Sequence, residues 1–102
     1  MGYPIGVVGE SFRNEDGSER QEEIARCRAG ETVELLRDPE NRFDANCVRV
    51  VSERGVQIGN ISRDDYWIAE RIDRGASVRA EIMSICTNVR GLFGVVLDVS
   101  TD

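Results

Sequence analysis

Apolar and polar residues alternate along this 102-residue chain in short runs, broken by turn-forming residues about every ten positions. Ile5 to Glu10, with Val7 and Val8 between two glycines, reads as a short strand, and Asn14 to Gly17 as a loop. Ser18 and Gln21 then have the spacing of a capping box. Glu22 and Glu23 follow in the first turn, Arg26 and Arg28 fall in the last, and Gly30 is the stop, which predicts a helix between these signals. Ile24 and Cys27, with Ala25 beside them, form its narrow apolar stripe. Its acidic residues are therefore expected to face water.

Thr32 to Arg37 alternates as a strand and stops at Asp38-Pro39. Cys47 to Ser52 is a β-branched strand, Glu53-Arg54-Gly55 is a hairpin turn, and Val56 to Ile61 returns antiparallel. Ser62 caps a second helix with Asp64 and Asp65 in its first turn, Arg71 and Arg74 in its last, and Gly75 as stop; Trp67, Ile68 and Ile72 supply its buried stripe. Ser77 to Cys86 is a long strand and Thr87 to Gly91 a turn. In the last strand, Phe93, Val95, Leu97 and Val99 share one face, so Phe93 reads as core or, at the strand's end, as a platform for a ligand. The order β-α-β-β-β-α-β-β describes a mainly β fold with two helices, a small closed or nearly closed barrel capped by those helices.

Length and composition narrow what such a barrel can do. Residues 1–102 suffice for one domain and one core, so any function sits on that scaffold. No run approaches the ~20 apolar residues of a membrane span, and Met1 to Gly9 lacks the basic and apolar regions of a secretory signal, so a cytoplasmic protein with no membrane contact is expected. Without His there is no Ser-His-Asp triad and no imidazole base. Without Lys there is no Schiff base and no Walker-type phosphate loop. The expectation is a non-enzymatic protein with no cofactor. Cys27, Cys47 and Cys86 are odd in number, far apart and at apolar positions, which predicts three buried thiols. Glu15, Asp16, Glu19, Glu22 and Glu23 lack a histidine partner or calcium-loop spacing and read as a solvated face rather than a metal site. The net charge of −6 opposes generic nucleic-acid binding, but it is uneven: residues 10–40 hold ten acids against five Arg, residues 41–102 nine against eight.

Between two predicted strands lies the run Asp38-Pro39-Glu40-Asn41-Arg42-Phe43-Asp44-Ala45-Asn46. Asp, Asn and Pro close turns through side-chain hydrogen bonds and a fixed φ, and Asp44 and Asn46 are suited to that work. Phe43 is the exception, since a large ring in a polar loop needs either a core to enter or a ligand to stack on. Arg63 opens a helix, where the macrodipole disfavours a cation, and a phosphate partner would account for it.

This run resembles the central motif of the HIRAN domain family, as do Gly6-Val7-Val8-Gly9 and Gly55-Val56-Gln57-Ile58-Gly59-Asn60-Ile61-Ser62-Arg63, and the likeness covers almost the whole chain. The resemblance implies an OB- or SH3-like barrel, similar to stand-alone bacterial members, that binds single-stranded DNA at a free 3′ end, in DNA repair or replication-fork processing. It implies that Phe43 stacks on a terminal base and that Asp44 accepts a hydrogen bond from the 3′-hydroxyl, with Ser11, Phe12, Asn60 and Phe93 as further contacts and Arg42 and Arg63 at phosphate. Arg42-Phe43 stands where the family often has Pro-Tyr, Ser11 where DNA-binding relatives carry a basic residue, and Asn60 where they carry an aromatic or His. These departures keep a second expectation open, a protein-interaction module on the same barrel whose partner acts in DNA processing.

Overall fold

The computed structural model describes residues 2–102. Six strands, β1 (Tyr3–Val8), β2 (Thr32–Arg37), β3 (Val48–Val51), β4 (Gln57–Ile61), β5 (Val78–Thr87) and β6 (Phe93–Thr101), close into a barrel in the order β1-β4-β3-β2-β5-β6. Every neighbouring pair is antiparallel. Helices α1 (Arg20–Ile24) and α2 (Trp67–Asp73) complete the expected order, with a short 3-10 turn (Arg63–Asp65) leading into α2. Closure leaves the sheet no continuous edge, and the period-two alternation of each strand fills the interior. Ile5, Val7, Val33, Val50, Ile58, Ile82, Leu97 and Val99 are buried there, and Ile24 of α1 and Ile68 of α2 cap it. Among the described residues no helix is long and apolar enough to cross a membrane.

Two local features bring β1 close to β4. Gly59 packs so tightly against β1 that an added Cβ would lie 2.3 Å from a Val7 methyl and 2.7 Å from the Val8 carbonyl. Gly9, with φ of 70°, then turns the chain out of the barrel. The expected strand from Ile5 to Glu10 thus begins two residues earlier and ends at Val8.

The first helix is shorter than its signals predict. Ser18 is not its cap: its amide and hydroxyl both donate to Asp16 Oδ1 (2.9 and 2.6 Å), and its hydroxyl accepts from Asn14 Nδ2, which closes the loop ahead of the helix. Gln21 reaches across the barrel end instead of back to the cap, donating to the carbonyls of Glu10 and Phe93 and accepting from the Phe93 amide. With both capping-box members engaged elsewhere, Glu19 begins α1 without a side-chain cap. Ser62, by contrast, accepts from the Asp64 amide as expected.

Glu23 corrects the expectation of a solvated acidic face. It is 2% exposed, and its Oε2 accepts from Ser52 Oγ at 2.7 Å and Arg54 Nε at 2.6 Å. Arg54 sits in the β3–β4 turn and also holds Glu31 at 2.9 Å and Cys27 Sγ at 3.2 Å, so one guanidinium clamps α1 onto the hairpin. These carboxylates raise the pKa of Arg54 further, so it stays charged. The thiols divide differently from the expectation too: Cys27 and Cys47 are buried, but Cys86 is exposed, because a bulge between Ile82 and Ser84 turns it to the outer face.

Candidate nucleic-acid interface

The β2–β3 loop is built around Asn41. Its Oδ1 accepts from the amides of Phe43 (2.9 Å) and Asp44 (3.1 Å), while its own amide donates to the Asp38 carbonyl. The Asp44 carbonyl accepts from the Cys47 amide, and Asp44 Oδ1 accepts from the Asn46 amide at 2.9 Å, an Asx turn. Arg37, itself paired with Asp73 at 2.8 Å, donates to the carbonyls of Cys47 and Ala45 and ties the loop's far side down. So many backbone bonds hold the loop in one conformation, and it leaves the Phe43 ring outside the core. That ring is 77% exposed.

Arg63, from the turn before α2, donates its Nη2 to the Phe43 carbonyl. Phe43, Asp44 and Arg63 thus come together, with exposed Arg42 beside them in sequence. Neither Arg42 nor Arg63 has an ion-pair partner among the described residues. Asp44 Oδ2 has no hydrogen bond there either, so the loop engages only one of its two carboxylate oxygens. Asp38, by contrast, is committed to Arg49 at 3.0 Å, which lowers its pKa.

Ser11 and Phe12 lie on a separate loop after β1. Phe12 is 67% exposed, and its ring packs over Gly9, where an added Cβ would lie 3.5 Å from the ring and from Asn60 Oδ1. Arg20 holds this loop, donating Nε to Asn14 Oδ1 and Nη1 to the Gly9 carbonyl, both at 2.7 Å. Gln21 links the same region to Phe93, whose ring is partly buried against the core. Ser11, Phe12 and Phe93 therefore share one end of the barrel, and the Phe43 group lies on another loop. Asn60 stands between the two groups. Its Oδ1 accepts from Arg20 at 3.4 Å, and its Nδ2 donates at 3.3 Å to Cys47 Sγ, whose backbone anchors Asp44. Burial pushes the Cys47 thiol up, despite the hydrogen bond from Asn60.

The outer surface between these loops is a cross-strand row, Val8 opposite Asn60, Asn60 opposite Arg49, and Arg49 opposite Leu36. A groove of about 450 Å³ opens along it, lined among others by Arg13, Arg20, Asp38, Asn41, Arg49 and Asn60. Asn41 and Arg20 escaped the sequence reading, although both left a signal. An Asn two and three residues ahead of the amides it caps is an Asx pattern, and Arg20, like Arg63, is a cation in a helical first turn, where the dipole disfavours it.

A closed antiparallel barrel that displays a fixed aromatic loop beside arginines defines a small binding module. A HIRAN domain model matches residues 7–100, and the chain belongs to that family, which is generally a DNA-binding module. Two solved structures share the fold. The crystal structure of the HIRAN domain of human HLTF superimposes with a TM-score of 0.74 at 21% identity, covering 97% of this chain and 73% of that one. A crystal structure of a protein from Lactobacillus plantarum gives 0.74 at 20% identity, covering 98% and 93%. No curated protein matches the chain in sequence.

Proposed function

We propose that this chain is a non-enzymatic module that binds single-stranded DNA and reads a free 3′ end. The terminal base stacks on Phe43, and Asp44 Oδ2 accepts the hydrogen bond of the 3′-hydroxyl, a donor that an internal phosphodiester lacks. Arg63 and Arg42 meet the terminal phosphodiester. Ser11, Phe12 and Asn60 border the neighbouring nucleotide, and Phe93 supports that end of the site from the core side. The observation that carries this reading is the pairing of an exposed ring with a half-free carboxylate on a loop held by its own hydrogen bonds. A protein-interaction surface on the same barrel would also use an exposed ring, but Arg42 and Arg63, which have no ion-pair partner among the described residues, favour an anionic partner at Phe43. Such a module belongs where strand ends are exposed, in repair or at replication forks.

Fluorescence anisotropy at low salt, comparing one oligonucleotide ending in a 3′-hydroxyl with the same one ending in a 3′-phosphate, tests the proposal. Tighter binding of the hydroxyl end, weakening as salt rises, is expected. Equal affinity for the two ends, or no binding to either, sinks it.

A further inference from the structure

The groove beside the candidate end site holds a cation that its surroundings leave uncompensated. Arg20 is half-buried, and its three hydrogen-bond partners, Asn14 Oδ1, the Gly9 carbonyl and Asn60 Oδ1, are all neutral. No carboxylate pairs with it among the described residues, and its Nη2 has no partner there. Burial lowers its pKa, and the neighbouring Arg49 lowers it further. Arg49 spends Nε and Nη2 on Asp38 Oδ2, and its Nη1 has no hydrogen-bond partner among the described residues. Of the other acids on the groove wall, Asp16 Oδ1 is engaged by Ser18, and Glu15 is exposed. Asn60, the residue next to the end site, is the ladder partner of Arg49 and the hydrogen-bond partner of Arg20. At the usual spacing of neighbouring strands the row from Val8 to Leu36 spans about 14 Å, so this floor extends beyond one terminal nucleotide.

We infer that the strand runs from Phe43 over Asn60 into this groove, and that a phosphodiester further 5′ than the terminal one, beyond the second nucleotide from the 3′ end, sits against the guanidiniums of Arg20 and Arg49. The inference rests on the 3′-end reading and adds to it a polarity and a footprint. The incoming anion supplies the counter-charge that Arg20 lacks, while Asp38 keeps the second guanidinium aimed along the groove.

Arg49→Gln and Arg49→Lys test this, since Arg49 is exposed and forms one ion pair; thermal unfolding of both variants verifies the fold. Anisotropy is measured with a dinucleotide and a pentanucleotide, each ending in a 3′-hydroxyl. In Arg49→Gln the pentanucleotide is expected to bind about tenfold more weakly, with its salt slope reduced by about one, while the dinucleotide loses far less and Arg49→Lys recovers most of the loss. Equal losses on both lengths, or no loss on either, overturn the groove assignment and leave end recognition standing. A length-dependent loss in a protein that ignores the 3′-hydroxyl supports the groove and overturns end recognition. Failure of the parent protein to bind either oligonucleotide overturns both.

Discussion

Replacing Arg54 with Ala removes the one cation that contacts the buried Glu23 carboxylate closely. Glu23 is 2% exposed and would keep Ser52 Oγ at 2.7 Å and a distant Arg26 guanidinium at 3.7 Å. Breaking a fully buried pair costs about 3–5 kcal/mol. The Arg54 side chain is 35% exposed, so water can partly fill the space, and the lower end of that range applies. The Glu31 pair, screened by solvent, adds little to this. A loss of about 3 kcal/mol is a large share of the 5–15 kcal/mol that holds a domain of this size. It corresponds to a fall in Tm of about 12–24 °C. Urea unfolding followed by the fluorescence of Trp67, the sole tryptophan, measures it. A double-mutant cycle with Glu23→Gln separates the pair from general packing and is expected to give a coupling of about 2 kcal/mol. A loss below about 1 kcal/mol, or additive single changes, would refute the clamp. Because α1 also carries Arg20 and Gln21, which hold the Phe12 loop, the variant should bind DNA more weakly as well.

Three further outcomes follow from the same geometry. Phe43→Ala is expected to leave stability within about 0.5 kcal/mol, because the ring is exposed, while weakening oligonucleotide binding by about 1–3 kcal/mol; unchanged affinity in anisotropy would count against stacking. In the native protein only Cys86 should be alkylated rapidly at neutral pH, with Cys27 and Cys47 reacting on unfolding; mass spectrometry of labelled peptides reads this, and early labelling of Cys47 contradicts it. Hydrogen bonds from Arg49, Arg54 and Arg37 hold the carboxyls of Asp38, Glu31 and Asp73 below their ordinary values, so these ion pairs stabilise at neutral pH and fade as the pH falls below about 4.5. Burial raises the thiols of Cys27 and Cys47, so their contribution is complete below about pH 8.5 and is lost above it as they ionise. Thermal melts across pH should therefore show a plateau between these limits, and a maximum at pH 4 would contradict the assignment.

The strands were legible because closure of the barrel makes every inward position apolar: Val95, Leu97 and Val99 read as one face and are buried as one face. Element order followed from the same alternation and the turn residues between strands. What failed was local capping at α1. The signals of Ser18 and Gln21 are real, but Asp16, Asn14 and the carbonyls of Glu10 and Phe93 compete for the same groups, and a five-residue helix held by tertiary contacts does not need its cap. Glu23 was misread for a related reason. Its partner Arg54 lies thirty-one positions away in a turn, and no periodicity on the helix reports it. At the candidate site, the aromatic misfit of Phe43 was visible in the sequence, whereas the groove between Arg20 and Arg49 exists only once β3 and β4 are paired.

End recognition through Asp44 is tested most directly by a cycle on protein and DNA together. Asp44→Asn preserves an acceptor for the Asn46 amide, so the loop stays closed while the charge is removed. Affinities of the parent and the variant are measured for oligonucleotides ending in a 3′-hydroxyl or in a 3′-deoxy sugar. A charged hydrogen bond is worth about 1.5–3 kcal/mol, so the parent should prefer the hydroxyl about tenfold or more, and the variant should lose most of that ratio. A parent indifferent to the hydroxyl, or a variant that discriminates as well as the parent, would contradict the account.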